Sequence, residues 1–337
     1  MEKKEFPVES LEVPVFQKIA SELCTFWGNI FGQDFVETQN LFYILAGKER
    51  KFNRDFVFIA KHKDSIVSTV HLTISRFDKR IGGIGEVATA AEFRGKGLAK
   101  ILCNLAISLF EKQGGRYLFL GTNNPAAARL YYSLGWKYVP GSRVMIRSSN
   151  DNKDISLFLD GRKKSCNKKI NILRGDARFR LQIIPLALFP FDEIVLDINA
   201  GLFSTRWFVQ KSCMGLYPHY KKIEETGAWF VAISGKNVVG LSSVKLDDNH
   251  GAQIDGFCLP EIGEKVMRKL YLKAVDYACK NGANEIHMVA DSLDTRKKKL
   301  LLKLGCIPQG ERIMIESREG LLDIITFRFP LHKGKIC

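Results

Sequence analysis

The chain has 337 residues, of which 46% are apolar, 26% charged and 11% aromatic, with 23 Phe. That apolar content offsets chain entropy by burial and excludes a mainly disordered protein, and at roughly 100–200 residues per domain the length predicts two domains. Fifty-one Lys and Arg against 36 acidic residues leave a net charge of +15, split almost evenly as +7 over 1–150 and +8 over 151–337, so phosphate-rich partners are favoured but neither half reads as a nucleic-acid domain.

Apolar runs such as Leu181 to Phe191 reach about half of the roughly 20 residues that a bilayer crossing needs, and Pro185 and Pro190 interrupt that one. No membrane association is expected. The opening Met-Glu-Lys-Lys-Glu-Phe-Pro lacks an apolar h-region, and the eight cysteines include no CxxC pair, which predicts a cytoplasmic protein with free thiols. The six His are scattered without ligand spacing, so no metal is expected.

In chain order, periodicity predicts an amphipathic helix from about Val15 to Phe31 and a short helix near Glu37 to Ala46. Strands follow at Phe56–Ala60 and Ile66–Ile74, joined by a turn at Lys61–Asp64, and a third at Ile84–Ala90. The chain then passes through Arg94-Gly95-Lys96-Gly97 into a helix from Leu98 to Gln113, with Leu98, Leu102, Leu105 and Leu109 near one face. A strand at Tyr117–Leu120, a helix at Pro125–Leu134 ended by Gly135, and strands at Lys137–Val139 and Arg143–Ile146 complete a unit spanning 1–150.

A basic connector is expected over 151–175. Its run Arg162-Lys163-Lys164-Ser165-Cys166-Asn167-Lys168-Lys169 has no interleaved aromatics for base stacking and reads as a solvated segment, with a short strand possible at Ile155–Leu159. From 176 to 337 the order repeats: helices near Phe191–Ala200 and Arg206–Tyr220, strands at Trp229–Ile233, Val238–Lys245 and Gln253–Leu259, a helix at Glu264–Asn281, a strand at Glu285–Val289, a helix at Thr295–Leu304, and strands near Arg312–Ile315 and Asp323–Phe329. Leu134-Gly135-Trp136 answers Leu304-Gly305-Cys306.

A strand that feeds Arg94-Gly95-Lys96-Gly97-Leu98-Ala99 and then a helix creates free backbone N–H groups at a positive helix end, which is a phosphate cradle. It is neither the Walker loop nor the three-glycine dinucleotide fingerprint. The segment resembles the pyrophosphate loop, Arg/Gln-x-x-Gly-x-Gly/Ala, of the GNAT superfamily of acyl-CoA N-acyltransferases. A second signature of that family, Asn-x-x-Ala-x-x-Leu-Tyr-x-x-x-Gly-aromatic, is matched by Asn124, Ala127, Leu130, Tyr131, Gly135 and Trp136.

The resemblance implies an α+β fold of two tandem GNAT-like domains, each a mixed, mostly antiparallel twisted sheet flanked by helices. It places Val87, Ala88, Thr89 and Asn124 beside the pantetheine arm of acetyl-CoA and Arg94, Gly95, Lys96, Gly97, Leu98 and Ala99 under its pyrophosphate. Tyr131 becomes the acid for the departing thiolate, and a backbone N–H near Val87 to Thr89 polarises the carbonyl. Glu86 is the nearest carboxylate for a general base, and His71 on the neighbouring strand is its rival.

The second half departs from the pattern. Leu301 stands at the Tyr131 position, Asp294 at that of Asn124, and Leu259-Pro260-Glu261-Ile262-Gly263-Glu264 replaces the loop. Glu261 and Glu264 would repel a pyrophosphate, so this half is expected to be degenerate and to serve structure or acceptor binding. The function expected is acetyl transfer to an amine of open identity. Two alternatives stand beside it: an aminoacyl-tRNA-dependent transferase of the peptidoglycan cross-bridge type, and a non-catalytic CoA sensor.

Overall fold

The computed structural model describes residues 5–149, 169–207, 214–317 and 320–331. They fall into two compact units, the first holding 5–139, 143–149 and 214–218, the second 140–142, 169–207, 219–317 and 320–331. The candidate strand at Ile155–Leu159 and the basic run up to Lys168 lie outside the described residues.

The first unit runs β1 (Val8–Glu12), α1 (Gln17–Phe31), α2 (Gln33–Thr38), α3 (Leu41–Leu45), β2 (Asn53–His62), β3 (Ser65–Ser75), β4 (Ile81–Thr89), α4 (Leu98–Lys112), β5 (Tyr117–Gly121), α5 (Pro125–Ser133), β6 (Lys137–Tyr138) and β7 (Val144–Ser148). The helix expected over Glu37–Ala46 is two pieces, because Asn40 between them takes a left-handed φ of 55°, a conformation that Asn tolerates better than most residues. Lys63 and Asp64, with φ of 48° and 66°, make the two-residue turn between β2 and β3. Two positive φ values match the right-handed twist of a hairpin.

The seven strands form one sheet in the order β1-β2-β3-β4-β5-β7-β6, in which β4 and β5 are the parallel pair. Alternation along β2 covers both faces. Val57 and Ile59 pack with Trp27, Leu23 and Leu41 under α1 and α3, while Phe56 and Phe58 pack with Leu102, Ala106 and Phe110 of α4. The buried face of α4 is Leu98, Leu102, Cys103, Ala106, Ile107 and Phe110. It lies further round the helix than the leucine stripe expected from sequence, and Leu105 is 42% exposed. A helix packs on a sheet along a broad face, and here small residues at 103 and 106 let it approach.

The second unit contains β8 (Ile170–Arg174), α6 (Ile183–Ala187), β9 (Val195–Asp197) and β10 (Leu202–Phe203). After α7 (Leu216–Ile223) come β11 (Gly227–Ser234), β12 (Asn237–Leu246), β13 (Gly251–Cys258), α8 (Glu264–Lys280), β14 (Glu285–Asp291), α9 (Thr295–Lys303), β15 (Ile307–Ser317) and β16 (Gly320–Arg328). Its sheet runs β8-β11-β12-β13-β14-β16-β15, again with one parallel pair, β13 and β14. Position for position this is the strand order of the first sheet.

Two expectations are corrected here. Ile170–Arg174, assigned by sequence to the connector, pairs with β11 as an edge strand. Phe191–Ala200 is not a helix but contains β9, because its β-branched residues and Asp197 bond to the sheet rather than to one another. In the first unit three helices cover the corresponding face of the sheet.

Candidate active site

β4 is the strand on which the site is built. It pairs with β5 only from Ile81 to Gly83, and the two strands part beyond that register. On its other edge the ladder with β3 shifts between Thr69 and His71, so that Glu86 and Val87 form a bulge, and Glu86 has φ +46°. A carboxylate residue held at positive φ is a strained position that surrounding contacts must maintain.

Those contacts are a chain of buried hydrogen bonds. Trp27 Nε1 of α1 donates to Thr69 Oγ1 at 2.9 Å, and Thr69 Oγ1 donates to the Glu86 carbonyl at 2.7 Å. The Glu86 side chain accepts from His71 Nδ1 at 2.6 Å, His71 Nε2 donates to Asp55 Oδ1 at 3.0 Å, and Thr73 Oγ1 donates to the same Asp55 oxygen at 2.7 Å. The Trp27 indole lies nearly parallel to the imidazole, centroids 6.3 Å apart.

His71 is 1% exposed. Burial alone would lower its pKa, but the hydrogen bonds to Asp55 and Glu86 and their charges raise it to about 9. At neutral pH it is therefore an imidazolium donating from both nitrogens, a positioning group rather than the rival base expected from sequence.

The glycine loop lies at the end of the same strand. Gly95 and Gly97 take φ of 79° and 77°, and a Cβ added at either would meet no atom within 4 Å. Glycine is thus required by conformation, and the space over the loop is open to a ligand. Gly97 caps the 15-residue α4, whose first turn has no side-chain cap and no acidic residue. Arg94 Nε donates to Thr89 O at 3.1 Å, tying the loop back to β4, and Lys96 Nζ sits 5.1 Å from the Phe6 ring centroid and 5.6 Å from that of Phe93. A groove of about 630 Å³ runs beside Arg94, between Phe26 and Ile30 of α1, His62 at the end of β2, Lys63 of the hairpin turn, and Ala91.

Along β4, Ala88 is buried beneath α1, Val87 packs towards α4, and Thr89 shares a 2.9 Å hydrogen bond with Ser68. Asn124 is the N-cap of α5, its Oδ1 accepting from the Ala126 and Ala127 amides at 2.9 and 3.4 Å. Tyr131 is buried against Trp136, ring centroids 5.8 Å apart. Burial and the nearby Cys103 push its phenol well above the ordinary range, so it stays a proton donor. The structure thus joins Glu86 to His71 and Asp55, and sets Tyr131 in a separate cluster on α5.

The same position in the second unit is built differently. β13 pairs with β12 without a bulge from Ala252 to Cys258. Lys297 on α9 donates to Asp255 Oδ1 on β13 at 2.6 Å, and to Val195 O and Leu196 O at 3.3 and 3.5 Å. Ile198 N donates to Asp255 Oδ2 at 2.8 Å, and Ser243 Oγ donates to Asp197 Oδ1 at 2.7 Å. The chain's own segment Val195–Ile198 is therefore bonded to side chains from both β13 and α9. Burial, followed by the charge of Asp255, raises the Asp197 carboxyl to about 7.

Sequence reasoning missed Asp55, Thr69, Thr73 and Trp27. The available signal was an Asp inside an apolar strand, Asp55 before Phe56-Val57-Phe58, which in a buried setting demands a partner.

Residues 16–136 match the family model described as acetyltransferase (GNAT) family. No curated protein matches the chain. Among solved structures, it is similar to a Bacillus subtilis acetyltransferase in complex with CoA, at 18% identity over 33% of this chain and 82% of that one, TM-score 0.28. It is similar to the spermidine/spermine N-acetyltransferase SpeG of Vibrio cholerae, at 16% identity over 48% and 92%, TM-score 0.38. It is also similar to YncA of Salmonella typhimurium, titled a putative acetyltransferase with its cofactor acetyl-CoA, at 15% identity over 49% and 96%, TM-score 0.37. Carried by its loop, its α5 signature and the family-model match, the segment 16–136 is an acetyltransferase domain of the GNAT family.

Proposed function

We propose that the chain is an acyl-CoA-dependent N-acyltransferase whose first unit moves an acetyl group from acetyl-CoA to a primary amine by direct attack in a ternary complex. The observation that carries this reading is the Glu86 carboxylate, held at the β4 bulge by an imidazolium, on the strand that leads into the open glycine loop.

When bound, acetyl-CoA supplies an activated thioester. The first-turn amides from Gly97 to Ala99, with Arg94 and Lys96 beside them, suit its pyrophosphate. The parting of β4 from β5 leaves Val87, Ala88 and Thr89 available along the arm, and Asn124 holds the start of α5. Glu86 takes the proton that the amine sheds as its nitrogen bonds to the carbonyl carbon. Tyr131 donates its phenolic proton to the sulfur as the carbon–sulfur bond breaks, and proton return through solvent resets both groups. His71 and Asp55 fix the Glu86 rotamer. The second unit is read as catalytically silent, and the free thiols of the described cysteines suit a reducing cytoplasm.

Thermal unfolding with and without acetyl-CoA tests the reading. Ala99→Glu places a carboxylate where a helix N-terminus tolerates it but where a pyrophosphate would be repelled. A stabilising shift in the wild type that is lost in Ala99→Glu, together with amine-dependent thiol release that falls in Tyr131→Phe, is the expected result. Absence of any shift defeats it in favour of tRNA-dependent transfer, and a shift without turnover over a broad amine panel reduces the chain to a CoA sensor.

A further inference from the structure

The two seven-stranded sheets end on β1, β6, β8 and β15, and the first three of these edges are blunted. β6 is two residues long and β8 five, while Glu9 and Glu12 of β1 are tied by ion pairs to Lys61 and Arg54 of β2. β15 is 11 residues long, has β16 on one side and no described strand on the other, and leaves Ile313 and Met314 exposed, at 43% and 52%. Natural sheets shorten or charge their edges because an open row of N–H and C=O groups templates another strand.

The register fixes which groups face outward. Ser292 N donates to Asp323 O at 2.8 Å, so the peptide groups of Asp323 turn towards β14 and away from β15. Met314, opposite Asp323, is therefore in a non-hydrogen-bonded pair, and by alternation Arg312, Met314 and Glu316 all turn their N–H and C=O to the free edge. Their side chains share one face of the sheet with Asp323, which accepts from Arg312. Glu316 on that face is exposed and makes no ion pair among the described residues. Ile313 and Ile315 take the opposite face, where Ile315 packs with Val195, Val289, Leu322 and Ile324 and Ile313 carries that apolar surface out to the edge.

A strand that fits this edge brings an anion opposite Arg312, a cation opposite Glu316 and apolar side chains between them. β15 itself has that pattern when run antiparallel. We propose that a second copy of the chain occupies the edge, the two β15 strands pairing about a two-fold axis at Met314. Arg312 then lies opposite Glu316 of the second copy and Glu316 opposite its Arg312, Met314 meets Met314, and every outward N–H and C=O from Arg312 to Glu316 finds an outward partner. On the other face Ile313 and Ile315 meet Ile315 and Ile313 of the second copy, which continues the apolar surface across the axis. A ladder of this length buries less than the roughly 1,600 Å² of a standard interface, so the dimer should form in roughly the micromolar range. Every residue invoked belongs to the second unit, and the inference stands whether or not the first unit transfers acetyl groups.

The test is sedimentation velocity of the full chain across the micromolar range, where a reversible monomer–dimer equilibrium is expected. Glu316→Arg and Arg312→Glu should each weaken it at least tenfold, since like charges then meet at both ends of the ladder. An equimolar mixture of the two variants should associate again, because one chain now presents two cations to the two anions of the other. Met314→Pro removes an edge N–H that β16 does not use, so it should abolish the dimer while leaving the melting curve of the monomer in place. A monomer at every concentration, a dimer unmoved by Met314→Pro or Glu316→Arg, or a mixture no better associated than its components would overturn the proposal. Should Arg312→Glu fail to fold for want of its bond to Asp323, Glu316→Arg and Met314→Pro decide.

Discussion

β4 and β13 hold the same place in two sheets of the same strand order, yet only β4 breaks its ladder. Each strand carries an acid of a buried cluster with one cation: Glu86 and Asp55 both bond His71, whereas Asp255 alone bonds Lys297 and Asp197 feels its charge at longer range. In the first unit the cluster holds a bulge, and the loop beyond it is left open. In the second the cluster binds the chain's own Val195–Ile198 to the sheet. The difference shows that one strand order can carry either an unbroken ladder or a local fault maintained by polar contacts from α1 and β3.

The sharpest way to break this comparison is to remove each cation. His71→Leu leaves two buried carboxylates without the cation between them and is expected to cost about 3–5 kcal/mol in the first unit only. Lys297→Met should do the same to the second unit. Scanning calorimetry checks this, since each substitution should lower one transition and spare the other.

Removing the acids should separate chemistry from stability. Glu86→Gln should lower kcat by about 10²-fold or more, with the acetyl-CoA thermal shift retained. Asp255→Asn should weaken the second unit without changing kcat per folded molecule. Steady-state kinetics beside a melting curve distinguishes the two.

The clusters should also answer pH differently. His71 is raised from 6.5 to about 9 in the folded state, so its contribution to the first unit is complete below about 6.5 and lost as pH rises through about 9. The full change is on the order of 3 kcal/mol. Asp197 is raised from 3.8 to about 7, so the second unit loses stability in the same direction but over the lower window. Unfolding followed from pH 4 to pH 10 should show the second unit weakening first. Smallest is Asn124→Ala, expected to cost about 1 kcal/mol through the lost cap of α5, as seen by urea denaturation.

The glycine loop, the α5 signature and most strands were legible because each is local: Gly95 and Gly97 announce left-handed backbone, and alternation announces β2 and β3. The trio was not, because Asp55, His71 and Glu86 lie on three strands and meet only through register. The bulge was hidden as well, since Glu86 takes a positive φ with no glycine to mark it. Val195–Ile198 misled through its apolar spacing, which suits a helix as well as a strand bonded across a sheet.

All seven strands of the first sheet precede Ser149 in the chain. At about 5–20 residues per second, synthesis of the remainder takes roughly 10–40 s, ample for a domain of this size to fold. The residues of the imidazolium trio therefore leave the ribosome before Lys297 has been translated. A ribosome stalled within the second unit would already have released every strand of the first sheet.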